Sequence, residues 1–195
     1  MKKAILICMI TLSGCLSAQV IFGNPEAYIL YFGYENHAKI GTAEGERFRL
    51  SSEDMTIRYD GNEFVLVPRK REKAVLYFND PKTGECFDSI NFEVRILPPP
   101  SLFFGASGDG DKVLLSQNVL FAKYNADIPL SAKFQVKSYE ITTQTGKPIT
   151  VLGSTIVENV TVYLKSLNKG DTFTIRARVV GPDGIEREIK GSYTL

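Results

Sequence analysis

Ser89-Ile90-Asn91-Phe92-Glu93-Val94-Arg95-Ile96-Leu97 alternates apolar residues with polar or charged ones, and Pro98-Pro99-Pro100 follows at once. A side-chain period of two puts Ile90, Phe92, Val94 and Ile96 on one buried face of a β-strand and leaves the other face wet. Three successive prolines donate no ladder hydrogen bonds and favour a stiff, extended connection, so the chain divides there. Upstream, Met55–Tyr59, Glu63–Val67 and Ala74–Phe78 are further short β-favouring runs, the first two joined by the hairpin signal Asp60-Gly61-Asn62. The aromatic run Ala27–Tyr34 (AYILYFGY) reads as another strand.

Downstream of the prolines the pattern continues. Lys133–Thr142 alternates through Phe134 and Val136, then changes phase to Tyr139 and Ile141, as a β-bulge would require. Thr172–Val180 and Ile185–Leu195 flank the turn Gly181-Pro182-Asp183-Gly184. Helical patterns are short and confined to Ser116–Tyr124 and Val160–Leu167. Strands at this spacing predict an all-β protein of two tandem immunoglobulin-like β-sandwich domains, residues 24–97 and 98–195. A hydrophobic fraction of 44% supports cores of that size and argues against disorder. The formal net charge of +1 gives no bulk attraction to nucleic acid or anionic membrane.

The N-terminus is a separate object. Lys2 and Lys3 precede the apolar run Ala4–Leu12, which is too short to span a bilayer and reads as an export signal. Leu12-Ser13-Gly14-Cys15 has the form of a lipobox, with a thiol to accept the diacylglyceryl group and small residues to enter the peptidase. Residues 1–19 are assigned to a lipoprotein-type signal peptide with cleavage before Cys15; ordinary cleavage near Ala18-Gln19 is the alternative. Leu16–Pro25 carry no charge, which points to an outer-membrane lipoprotein facing the periplasm, or a soluble periplasmic protein if Cys15 is not acylated. Cys86 is then the one thiol left, so packing rather than an intramolecular disulfide must stabilise the chain.

Several phrases resemble the C-terminal periplasmic region of GldM, also called PorM, from the Bacteroidetes gliding and type IX secretion machinery. They are Ile29–Asn36 (ILYFGYEN), Phe92–Pro98 (FEVRILP), Phe134–Ile141 (FQVKSYEI), Leu167–Phe173 (LNKGDTF) and Gly181–Gly184 (GPDG). Together they cover roughly residues 27–195. His37 stands where the family commonly has proline. The resemblance implies a stand-alone version of the membrane-distal end of GldM, without its inner-membrane helix, that meets envelope proteins such as type IX components. It also implies a homodimer.

No residue cluster announces chemistry. His37 is the only histidine, placed in a loop after a strand, so a triad or zinc site would depend on it alone. Cys86 reads as a partly buried strand-edge residue. Gly105, Gly108 and Gly110 with Asp109 and Asp111 miss both the phosphate-loop and calcium-loop spacings and suggest a mobile glycine-rich hairpin. Glu44, Glu46, Glu53 and Asp54 are acidic neighbours without a sign of convergence. Arg69, Lys70 and Arg71, with Lys73, form the densest basic run, expected in a solvated turn with an acidic partner as the interesting use. No catalytic residue, metal or cofactor is expected. The function expected is a non-catalytic protein-binding or assembly module of the bacterial envelope; the alternative is a surface carbohydrate-binding or adhesion lipoprotein.

Overall fold

The computed structural model describes residues 18–21, 28–42, 47–61, 63–144 and 146–195. The Leu12–Cys15 motif, Glu44 and Glu46 lie outside them. In chain order the first half gives β1 (Ala18–Ile21), β2 (Ile29–Tyr31), β3 (Asn36–Thr42), β4 (Arg49–Ser51), β5 (Met55–Asp60), β6 (Glu63–Pro68), β7 (Glu72–Asn79) and β8 (Cys86–Arg95). They build two facing four-stranded sheets, β1-β3-β6-β5 and β2-β8-β7-β4. Every pairing is antiparallel except β2 with β8. Leu30, Leu66, Leu76, Phe78 and Phe92 fill the space between, each nearly inaccessible to solvent.

The second half gives β9 (Ser101–Phe104), β10 (Leu120–Lys123), β11 (Gln135–Thr143), β12 (Ile149–Leu152), α1 (Glu158–Lys165), β13 (Thr172–Val180) and β14 (Glu186–Thr194). Here the layers are unequal. The sheet β12-β11-β13-β14 faces only the pair β9–β10, and α1 adds Val160 and Leu164 to the core. Two buried tyrosines carry polar tips that must be paired in an apolar interior. Tyr193 Oη donates to the Leu102 carbonyl at 2.9 Å, and Tyr139 Oη donates to the Thr155 carbonyl at 3.0 Å. The architecture is therefore all-β, built as two sandwiches in tandem. The anticipated bulge in β11 is present as a register shift between Val136 and Ser138.

Local readings are corrected at four places. Among the described residues of the run Ala27–Tyr34 the strand is confined to Ile29–Tyr31, because the chain then turns through Gly33 at φ 63°. Asn36 fixes that turn: its Oδ1 accepts from Tyr31 N at 2.8 Å, and its Nδ2 lies within 3.0 Å of the carbonyls of Tyr31, Tyr34 and Leu66. His37 accordingly sits in β3 opposite Val65, not in a loop. Ile96 is exposed and Leu97 fully buried, since β8 ends at Arg95 and the phase flips before the prolines. Within Ser116–Tyr124 lies β10 rather than a helix: Leu120 and Ala122 point inward, Phe121 and Lys123 outward, which is period two.

Candidate interaction surface

The end of the first sandwich that faces the second includes two linked turns, Tyr31–Asn36 and the one between β6 and β7. The Tyr31–Asn36 turn donates Gly33 N–H to the Pro68 carbonyl at 3.2 Å, which ties it to the chain just before Arg69. Across the junction, a Cβ added to Gly33 would lie 2.9 Å from Asp183 Cα, so glycine is needed for both its left-handed φ and its missing side chain. Asp183 belongs to the turn Gly181–Gly184 that joins β13 to β14.

Asp183 and Arg187 form an ion pair whose side chains are 0% and 9% exposed. Arg187 Nη1 donates to Asp183 Oδ1 at 3.0 Å and to the Ile185 carbonyl at 2.9 Å, and Nη2 donates to Asp183 Oδ2. The same Nη2 reaches the Leu97 carbonyl at 2.8 Å, ninety residues away in sequence, while the guanidinium stands over the Phe134 ring. Burial pulls the Asp183 carboxyl upward, but the Arg187 and Ile185 hydrogen bonds outweigh it and hold the group below the ordinary 3.8. Tyr124 Oη donates to the Pro98 carbonyl at 2.8 Å, and burial pushes its phenol up to about 12. Two consecutive carbonyls of the connecting segment, on Leu97 and Pro98, are thus held by side chains of the second sandwich. Proline already stiffens this connection, and the two bonds fix its direction.

The basic run forms the rim of this joint on the first-sandwich side. Arg69, Lys70 and Arg71 lie in the β6–β7 turn and all three are exposed. Each has a local attachment. Arg69 Nη2 donates to the Glu53 carbonyl at 3.1 Å, Lys70 Nζ pairs with Asp54 Oδ1 at 2.7 Å, and the Arg71 guanidinium lies 5.1 Å from the Phe32 ring centroid. The Lys70 bond, with the Val75 N–H, keeps the Asp54 carboxyl low, and Asp54 in turn raises the Lys70 ammonium. Glu53 and Asp54 therefore brace a cationic turn rather than meeting as paired carboxylates. Lys73 continues into β7.

The remaining candidates stay apart. His37 Nδ1 is 3.5 Å from Glu63 Oε2 on an open sheet face, with Lys39 3.9 Å from the other oxygen. Cys86, expected to be partly buried, is exposed at the start of β8, where its Sγ lies 3.2 Å from the Asp88 carbonyl. The glycine-rich loop is fastened, not free: Asp109 Oδ1 accepts from Ser192 N at 2.6 Å, Asp111 Oδ2 accepts from Gly108 N at 2.7 Å, and Gly110 N donates to the Ser192 carbonyl. Its carboxylates satisfy backbone N–H groups and cap the β14 edge. Among the described residues no group of three or more His, Cys, Asp or Glu side chains is placed to hold a metal ion, and no helix is long and apolar enough to cross a membrane.

The fold and this surface define a tandem β-sandwich protein with a clamped joint. Within it, residues 105–194 match the family model of the GldM C-terminal domain. That match supports the resemblance read from the motifs, of which Phe134–Ile141, Leu167–Phe173 and Gly181–Gly184 lie inside it; the two motifs of the first sandwich lie outside. In GldM that C-terminal domain is periplasmic and is part of the gliding and type IX secretion machinery. No curated protein matches the chain. Among solved structures, the Yersinia pseudotuberculosis adhesin InvE is similar at 10% identity and a TM-score of 0.30, with 93% of this chain and 61% of that chain covered. The chain thus spans less than two thirds of that structure, and a likeness at this level carries no argument.

Proposed function

We propose that this protein is a non-catalytic binding and assembly module of the bacterial envelope, acting with gliding or type IX secretion components. The observation that carries the reading is the family match over residues 105–194. The clamped joint supports it, because a scaffold that positions partners needs a defined angle between its units. We assign residues 1–19 to a leader with cleavage before Cys15 and residues 24–97 and 98–195 to the two domains. Acylation at Cys15 would anchor the chain to the outer membrane facing the periplasm, since several acyl chains hold firmly where one does not. Homodimerisation belongs to the same proposal. The cationic rim of Arg69, Lys70 and Arg71 is the surface we assign to an acidic partner; rim charges of this kind act on association rate and selectivity more than on residence time.

The test is affinity recovery of the tagged full chain from envelope extracts of its native cells, beside a Cys15→Ala control. Co-purification of type IX secretion components is the expected result, with membrane association lost in the control. Glycan binding without any such component would overturn the assignment in favour of adhesion. Reversing Arg69, Lys70 and Arg71 to glutamate should reduce recovery, and unchanged recovery removes the rim from the binding surface.

A further inference from the structure

In the second sandwich a groove lies beside a partly unpaired strand edge. β10 has one laddered neighbour, β9, and its other edge faces β11 without a shared ladder. β12 pairs with β11 from Ser138 to Ile141, so Gln135 and Val136, at and before the bulge, pair with β13 on one side and, among the described residues, with no strand on the other. Between the two free edges runs a groove of about 680 Å³. One end is closed by the Gly153–Thr155 segment, where Gly153 N donates to the Lys137 carbonyl at 2.7 Å and Leu120 N to the Ser154 carbonyl at 2.8 Å. Phe121, 48% exposed, stands on its wall.

Unpaired strand edges are templates for another strand, and an exposed aromatic beside them supplies an anchor. Charge decides what kind of strand. Lys123 and Lys133 are the charged residues that line the groove, and Lys137 flanks them in sequence. A second copy of this chain pairing β10 against β10 would bring its own Lys123 and Lys133 to the groove and, from these lining residues, no carboxylate to meet them. An acidic strand would meet the opposite condition.

We propose that the groove between β10 and the start of β11 receives an extended, acidic segment of a partner protein, which adds a strand to the open edge of β10. The segment pairs with the Leu120 carbonyl and with Ala122, the edge groups beyond the Leu120 N–H that Ser154 already holds, sets an apolar side chain against Phe121 and places its carboxylates near Lys123 and Lys133. This rests on the binding-module reading and gives it a site separate from the cationic rim of the joint.

The experiment is site-specific photo-crosslinking in native cells, with a benzophenone amino acid placed in the full chain at Phe121, at Arg71 or at Tyr59, followed by sequencing of the captured peptide. Capture from position 121 of a peptide with net negative charge and alternating apolar residues is expected. Adding Lys123→Glu and Lys133→Glu, both on the surface, should cut that yield at least tenfold while the circular dichroism spectrum and melting temperature hold. Capture from positions 71 or 59 but not 121 overturns the groove and leaves the binding reading standing. No capture at any of the three overturns both. A basic peptide, a yield unchanged by the double reversal, or a peptide from this same chain also overturns the proposal, the last in favour of self-association.

Discussion

The two sandwiches bury apolar residues by different means. In the first, two sheets of four strands cover each other, and the core is aliphatic and phenylalanine-rich. In the second, a two-stranded layer is too narrow for the four-stranded sheet opposite, so α1 and the segment around Val113 complete the cover. Among the described residues, seventeen form the buried cluster of the second and nine that of the first. The difference teaches where binding features arise. Matched layers keep their edge strands β1, β5, β2 and β4 at the rims, whereas the short layer sets one edge, that of β10, across from the inner strand β11. Of the edges in the second sandwich, β14 is capped by the Asp109–Gly110 loop, and β10 is covered at its start, where Leu120 N donates to the Ser154 carbonyl.

The largest effect on this contrast is expected from Asp183→Ala. It leaves the Arg187 guanidinium buried without its counter-ion, a change that costs about 3–5 kcal/mol. Denaturant unfolding of the full chain should show the second sandwich destabilised far more than the first; equal shifts would mean that the two unfold as one unit and would erase the distinction. The same carboxylate sets an acid dependence. Its folded pKa lies below 3.8, so its stabilisation is complete above the unfolded value and is lost as pH falls below about 3.8. In Asp183→Asn that portion of the acid transition should disappear from the second sandwich while the first keeps its profile.

Gly33→Ala comes next, at about 1–3 kcal/mol, since alanine must adopt a left-handed φ and meet the Asp183 backbone. Small-angle scattering should report a longer molecule with both cores intact; an unchanged profile would show that the joint does not depend on this contact. Tyr193→Phe strands the Leu102 carbonyl and should cost the second sandwich about 1 kcal/mol, read as a lower urea midpoint. Arg71→Ala removes a cation–π contact with Phe32 and should cost the first about 0.5–1 kcal/mol, close to the limit of the same measurement.

Much of the β pattern was legible because burial on one face imposes period two. Phe92, Val94, Tyr139 and Ile141 sit as their alternation requires, and the phase change in β11 is the bulge it implied. The reading failed where a distant partner outweighed local preference. Ile96 is exposed because the Leu97 carbonyl is drawn to Arg187 across ninety residues, which no local window contains. His37 extends β3 because Asn36 closes the preceding turn, a role its side chain takes only once Leu66 is beside it. Asp183 and Arg187 lie four apart, a spacing that suggests a helix pair, yet they meet around a hairpin turn. The groove beside β10 was not legible, since it exists only through strands that fail to pair.

The hold that Arg187 and Tyr124 keep on the Leu97 and Pro98 carbonyls has a consequence for avidity. With little bending freedom between the units, a ligand that touches the cationic rim and the β10 edge together would lose its tumbling entropy once, at the first contact, and find the second at high effective concentration. A bendable tether would dilute that advantage across many orientations. If both proposed surfaces are used, the clamp would turn two modest contacts into one bidentate recognition element.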